Sequence, residues 1–314
     1  MSLGYWTMMR WLNKRRKTRF YQLTAGIMTT PPMPVVDAPW AIISMVSNSD
    51  VQMYILAMKS FYRQLGKGKI IAIVDRDMPA GSRHTLERHL PGIRFAILED
   101  IDTRSCQRGG TWERLLYLID HSQNEYAIQL DADTLTFGTD INEVVHCVKN
   151  NIPFTLGNAG RPIEKMSAIA PNAREMTSNY IGIVAERLFD QYPGAEKLKY
   201  VRASSGFVGL AHRGIGREAI EDFHRNMEGL LGARWREWGT EQSASNFAVA
   251  NSLGAVVLPF PKYANFTPWS QRGKTSFFHF IGSYRYHDDY FANCALKVIE
   301  ELNAGNADLV RKSA

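Results

Sequence analysis

The sequence predicts an α/β fold on a mainly parallel sheet, and three observations predict it. Apolar runs of strand length alternate with helix-spaced runs over residues 40–131. The strand-like runs are continuously apolar, the pattern of strands covered on both faces. Polar clusters close those runs at Ser47–Asp50, Asp75 and Asp131–Asp133, and the carboxyl ends of parallel strands are where such sheets bind ligands.

The elements follow in order. WAIISMVS (40–47) reads as a buried strand ending in Ser47-Asn48-Ser49-Asp50. Residues 51–65 carry Tyr54, Met58, Phe61 and Leu65 at helical spacing and stop at Gly66 and Gly68. Residues 69–75, 93–99 and 126–131 read as further strands, with helices over 82–90 and 111–122 between them. The second half is less regular. Helices are expected over 141–150, 218–231, 242–253 and 292–305, the last ended by Gly305. Strands are expected over 204–211 and 255–260, and 276–282 is a short apolar segment.

Composition narrows the class. With 314 residues, 45% hydrophobic and 22% charged, the chain has material for a sizeable core and is neither collagen-like, disordered nor a disulfide scaffold. The net charge of +6 comes from 37 Lys+Arg against 31 Asp+Glu. Residues 1–36 hold Arg10, Lys14, Arg15, Arg16, Lys17 and Arg19 and no acidic residue, so the body from 37 onward is neutral. A nucleic-acid-coating surface is therefore not expected. Three scattered cysteines (106, 147, 294) without a CxxC fit reduced thiols in a cytoplasmic protein. No apolar run is long enough for a membrane span, and the N-terminus does not have the order of a signal peptide.

The expected organisation is a basic arm and Pro-rich linker (1–36), then one domain (37–314). Within it, 37–140 would be the regular α/β half, 141–291 the less regular half and 292–314 a terminal helix. In the arm, Tyr5, Met8, Met9 and Leu12 recur at helical spacing beside Trp6, Trp11 and the cations. Residues 5–20 could lie on an anionic membrane surface as a peripheral anchor, or form a solvated arm.

Two motifs carry chemistry. YAIQLDADTLTFG delivers Asp131-Ala132-Asp133 to the sheet rim. Paired carboxylates there can hold a hard divalent cation, or they can cap the next element. FFHFIGSYRY places His279 among Phe277, Phe278 and Phe280, either as a core residue or as a ligand.

Together these motifs resemble GT-A-fold glycosyltransferases, most closely family 8, the glycogenin- and lipopolysaccharide-galactosyltransferase-like enzymes. The matching features run in the family's order. They are Ala41–Asn48 with Lys59-Ser60, Arg114, Leu130–Thr134, Ser204-Ser205-Gly206, Glu241-Gln242-Ser243, and His279 with Phe280, Gly282 and Arg285. The resemblance spans about residues 40–290. It implies one catalytic domain over 37–314, a Rossmann-like sheet with 37–140 as the nucleotide-sugar-binding half and a smaller mixed acceptor and catalytic region in 141–291.

It also implies roles. Asp131, Asp133 and His279 would bind Mn²⁺ or Mg²⁺, which would bridge the diphosphate of a nucleotide sugar, a UDP-sugar being expected. Val46, Ser47, Asn48, Asp75 and Ala132 would line the nucleotide. Gly282 and Arg285 would contact the diphosphate, and Ser204, Ser205 and Gly206 the sugar. Arg114, Glu241 and Gln242 would sit at the reaction centre. Transfer to a carbohydrate or glycolipid hydroxyl is expected with retention, by front-face attack or through a covalent intermediate on Glu241. Trp235, Trp238, Tyr263 and Trp269 would form an acceptor platform or belong to the core.

Departures are visible too. Ser204 stands for the family's Asn, Glu241 for its Asp, and Arg285-Tyr286-His287 for its Lys-Pro-Trp. Val51 occupies the place of the base-stacking aromatic, and Tyr54 follows three residues on. Two rival functions are a sugar-1-phosphate nucleotidyltransferase and a non-catalytic sugar-binding protein. The first needs a Gly-rich basic loop after the first strand, which SNSDVQM lacks. Intact metal ligands argue against the second.

Overall fold

The computed structural model describes residues 3–138 and 140–312. Helix α1 (Leu3–Leu23) precedes strand β1 (Trp40–Met45), helix α2 (Val51–Leu65) and β2 (Lys69–Val74). Then come α3 (Ala80–His89), β3 (Arg94–Ile97), α4 (Trp112–Ser122) and β4 (Tyr126–Leu130). These elements coincide with the expected ones from residue 40 onward, within a few residues at each end. Next are β5 (Thr134–Thr136), α5 (Asn142–Lys149), β6 (Phe154–Gly157), β7 (Glu164–Lys165), α6 (Met166–Arg174) and α7 (Ile181–Glu186). They lead into β8 (Lys199–Tyr200), β9 (Ala203–Leu210), α8 (Arg217–Leu231), α9 (Thr240–Ala250) and β10 (Val256–Val257). The chain closes with β11 (Tyr263–Asn265), β12 (Phe277–His279) and α10 (Tyr290–Lys312).

The central sheet runs β10-β6-β9-β4-β1-β2-β3. β1 pairs parallel to both β2 and β4, and β2 parallel to β3, so their carboxyl ends share one rim. β9 enters antiparallel between β4 and β6. The continuously apolar strands are explained by this placement. Ile42, Ile70 and Ile128 face a core under α2, α3 and α10, while Ile43, Ile71 and Ala127 face a second core under α4, α8 and α9. Helix α2 is buried nearly all round, and Gly66 ends it in a left-handed conformation at φ +83°.

A smaller sheet, β11-β12-β5, stands beside the first and supplies the mixed region. Three differences from the sequence expectation have local causes. The 255–260 run pairs over only two residues, because after Leu258 donates to the Thr155 carbonyl (3.0 Å) the chain enters a turn at Phe260, closed by the Tyr263 N–H on the Pro259 carbonyl (3.0 Å). Residues 134–136, which read as loop, form β5 because β12 is there to pair with. Helix α10 continues through Gly305, since a single glycine costs a helix only about 1 kcal/mol.

The N-terminal segment is tied to the body. Phe20 is buried against Phe291 (centroids 4.4 Å apart) and Tyr286 (5.3 Å). Arg19 pairs with Asp289 at 2.7 Å. The buried Lys59 ammonium donates to Thr30 Oγ1 (2.9 Å) and to the Pro31 carbonyl (2.6 Å), anchoring the Pro-rich stretch on α2. The side chains of Tyr5, Trp6, Met8 and Met9 lie outside the described part of α1. No described helix is long and apolar enough to cross a membrane.

Candidate active site

The site begins at the end of β4. The Asp131 N–H donates to the Gly206 carbonyl of β9 (2.9 Å), and Thr134 returns N–H and Oγ1 hydrogen bonds to the Asp131 carbonyl (3.2 and 2.8 Å). This turn presents Asp131 and Asp133 at the rim. β12 pairs antiparallel with β5 so that His279 lies opposite Thr134, and the Phe280 N–H donates to the Asp133 carbonyl (2.8 Å). A distant stretch of chain thus brings an imidazole to the two carboxylates.

His279 Nε2 stands 3.2 Å from Asp133 Oδ1 and 3.8 Å from Asp131 Oδ2. One ligand atom from each residue can be chosen so that all lie within 4.8 Å of one another. On the other side of the ring, Nδ1 is 2.9 Å from Ser204 Oγ and 3.1 Å from Asn265 Oδ1. Asn265 Oδ1 can only accept, so it calls for the proton on Nδ1 and leaves the Nε2 lone pair toward the carboxylates. Three acceptors converging on one point need a cation or a proton between them. The donor set suits a divalent cation with oxygen and imidazole ligands.

Gly206 makes room for this. A Cβ there would lie 2.2 Å from His279 Cε1 and 2.6 Å from both ring nitrogens. The small-Gly step in the sequence is thus a steric requirement of the imidazole above it.

Two arginines border the carboxylates. Arg114, buried on α4, bonds Asp131 and places Nη2 3.2 Å from Glu241 Oε1. Glu241 Oε2 accepts from Thr111 Oγ1 (3.0 Å) and Ser205 Oγ (3.2 Å). Burial pushes the Glu241 carboxyl up from its ordinary range, and Arg114 offsets part of that. Arg285 bonds Asp133 and donates Nε to the Phe280 carbonyl (3.1 Å). Burial alone would raise the Asp133 carboxyl, but His279 and Arg285 outweigh it and hold it below the usual range.

These groups form one end of a cavity of about 770 Å³. Of the residues expected at the site, Asp131, Asp133, His279, Arg114, Glu241, Gln242, Ser204, Ser205, Gly282 and Arg285 line it. Gly206 lies beneath His279, and Ala132 is buried in the turn. Val46, Ser47, Asn48 and Asp75 are on the same rim but do not line this cavity. Val46 is buried, Ser47 Oγ donates to Asp50 Oδ2 (2.6 Å), and Asn48 Oδ1 accepts from Ser82 Oγ (2.6 Å). Tyr21 of α1 closes that part of the rim, its hydroxyl donating to the Ser49 carbonyl (2.9 Å). Sequence reasoning missed Tyr21, Thr111, Tyr180 and Asn265, which lie outside the matched motifs. Of the four aromatics with two readings, Trp235 and Tyr263 are core, and Trp238 and Trp269 are exposed on the cavity.

No protein-family model and no curated protein matches the chain. Solved structures do. The apo structure of the bifunctional glycosyltransferase WbbM is similar at a TM-score of 0.51 and 13% identity, over 84% of this chain and 49% of that one. The chain therefore spans about half the length of that protein. GlyE, a glycosyltransferase of Streptococcus pneumoniae TIGR4, gives 0.49 and 12% over 85% and 63%. The galactosyltransferase LgtC, in complex with donor and acceptor sugar analogs, gives 0.46 and 12% over 83% and 95%. The likeness to WbbM, with the sheet order above, gives the chain the GT-A architecture that the motifs implied.

Gly206→Ala should displace the His279 ring. Overpacking of this kind costs about 1–3 kcal/mol of stability, and the loss of a ligand's orientation costs about 10–100-fold in metal affinity. Titration of Mn²⁺ followed by calorimetry, beside a melting curve, measures both. Unchanged affinity in a folded variant would refute the steric account.

Proposed function

We propose that the protein is a metal-dependent glycosyltransferase that moves a sugar from a nucleoside diphosphate sugar, a UDP-sugar, to a carbohydrate hydroxyl with retention. The observation that carries this is the Asp131–Asp133–His279 cluster between Arg114 and Arg285 at one end of a large cavity. Asp131, Asp133 and His279 would hold Mn²⁺ or Mg²⁺. Bound there, the ion supplies charge neutralisation for a departing diphosphate.

The chain's own residues do the rest. Arg285 and Arg114 are placed to donate to phosphate oxygens from their planar guanidinium groups as their carboxylates turn to the cation. Glu241 has Oε1 on Arg114 and Oε2 on Thr111 and Ser205, so its oxygens are committed to holding the arginine. That arrangement favours front-face transfer over attack by Glu241. The acceptor oxygen bonds to the anomeric carbon while the bond from that carbon to the diphosphate oxygen breaks. The leaving oxygen keeps the electron pair, and the acceptor proton passes to the departing phosphate. Gln242, its amide 3.4 Å from the Tyr180 hydroxyl on the cavity wall, would face the sugar. Ser47, Asn48 and Asp75, beside Val46, would meet the nucleotide along the rim.

We also propose that α1 rests on an anionic membrane surface from the cytoplasmic side. Lys14 and Arg15 are exposed, as is Trp11, with the Arg15 guanidinium 4.6 Å over its ring. Phe20 is in the core, so deleting the segment would damage the fold. Charge reversal is the better probe.

Asp133→Asn and His279→Ala should each lower Mn²⁺-dependent release of nucleotide from a panel of nucleoside diphosphate sugars by about 10²-fold or more. Wild-type rates in both would exclude the metal site. Lys14→Glu with Arg15→Glu should weaken sedimentation with phosphatidylserine vesicles, since each juxtamembrane cation contributes about 1 kcal/mol. Equal binding to neutral and anionic vesicles by the unaltered protein would remove the membrane proposal.

A further inference from the structure

The cavity extends well past the carboxylate cluster, and its outer half has features that the metal and donor do not use. Trp238 and Trp269 line it with 75% and 79% of their surfaces exposed. They come from separate segments, one just before α9 and one in the loop between β11 and β12. Trp269 is braced edge-on by Tyr284, with centroids 6.0 Å apart. Tyr180, also on the cavity wall, packs closely on Gly239, the residue after Trp238: a Cβ on Gly239 would lie 2.6 Å from its hydroxyl, and one on Gly182 2.7 Å from its ring. Two large indoles left open in one concave site mark a surface meant to be covered.

The polar wall beside them is an ion pair that no step above involves. Arg202 Nε lies 2.9 Å from Glu186 Oε2 and 3.1 Å from Oε1, and Glu186 is buried. Charge decides what this wall can bind. Among the described residues lining the cavity, the carboxylates are Asp131, Asp133, Glu186 and Glu241, and the permanent cations are Arg114, Arg202 and Arg285. Arg114 and Arg285 belong to the carboxylate cluster, so apart from that cluster the charged residues lining the cavity, among those described, are Glu186 and Arg202, and they pair with each other. That part of the wall offers no unpaired cation to an acidic ligand. A buried ion pair instead offers fixed donors and acceptors to hydroxyl groups.

We infer that the outer half of the cavity is an acceptor subsite for an uncharged pyranose saccharide, stacked on Trp238 and Trp269 with its hydroxyls toward the Glu186–Arg202 pair. This rests on the proposed transferase reading and adds the acceptor's chemical class and the residues that select it. A pyranose ring presents one face of C–H bonds to an indole and a rim of hydroxyls to polar groups, which matches the two kinds of wall. An acidic sugar would bring its carboxylate against the buried Glu186 and an arginine that Glu186 already holds.

Saturation-transfer NMR on the full chain tests this, with lactose, maltose and chitobiose against glucuronic acid and N-acetylneuraminic acid. At least one neutral disaccharide should receive saturation and the acidic sugars should not. Trp238→Ala with Trp269→Ala should weaken that signal by about tenfold in affinity. Both residues are exposed, so the melting temperature should stay within about 2 °C and show that the fold is kept. Signal from the acidic sugars alone, from no sugar, or unchanged in the double variant would overturn the inference. Nucleotide binding, followed separately by melting with UDP and Mn²⁺, tells the failures apart. A nucleotide-stabilised protein that ignores every saccharide defeats only the acceptor subsite, whereas loss of both defeats the transferase reading itself.

Discussion

Three carboxylates share the floor of one cavity, and that crowding of like charge is the constraint the rest of the site answers. Asp133 and Glu241 are buried and Asp131 is half-buried. Burial disfavours the ionised forms of Asp133 and Glu241, and at Glu241 the neighbouring Asp131 charge adds to it. Arg114 stands between Asp131 and Glu241, Arg285 bonds Asp133, and His279 faces both aspartates. Buried ion pairs of this kind add little net stability, yet removing one partner costs about 3–5 kcal/mol because a charge is stranded. The arrangement is therefore no device for stability, and it leaves Asp131, Asp133 and His279 with ligand atoms close enough together to hold a cation.

The topology exists to bring these groups together. Parallel strands alone would deliver Asp131 and Asp133 but no imidazole. The antiparallel strand β9 runs beneath them and carries Ser204, Ser205 and Gly206. The small sheet then turns β12 against β5 and sets His279 over Gly206. Arg114 and Glu241 arrive from the first turns of α4 and α9, so both helices contribute rigid starting points. The same packing ties α1 to the rim through Tyr21 and to α10 through Phe20, which sets the basic segment beside Ser47–Asp50.

Much of this was legible in the sequence where a local rule applied. Apolar runs such as 40–47 and 69–75 declared buried strands, and the Asp131-Ala132-Asp133 turn declared a rim. His279 is ambiguous on local grounds, since an imidazole among phenylalanines is as readily core; the order of motifs favours the ligand reading, and the structure sets the ring 3.2 Å from Asp133. What could not be seen depends on partners far along the chain. β5 is a strand only because β12 lies beside it, and Asn265 matters only because it fixes one face of an imidazole from another strand. The pairing of Glu186 with Arg202 is invisible for the same reason. Trp235 and Trp238 are three residues apart, and only packing makes one core and the other cavity surface.

The central claim is that the Asp131–Asp133–His279 cluster is a cation site completed by a nucleoside diphosphate. Melting temperatures of the protein with UDP, GDP, CDP or ADP, each with and without Mn²⁺, test it most directly. A ligand at about 100 times its dissociation constant adds about 2.7 kcal/mol to the folded state, which is a rise of several degrees for a chain of this size. The account predicts that rise for at least one nucleotide, with UDP expected, only when Mn²⁺ is present, and its disappearance in Asp133→Asn. Stabilisation that is indifferent to Mn²⁺, or no stabilisation by any nucleotide, would contradict it.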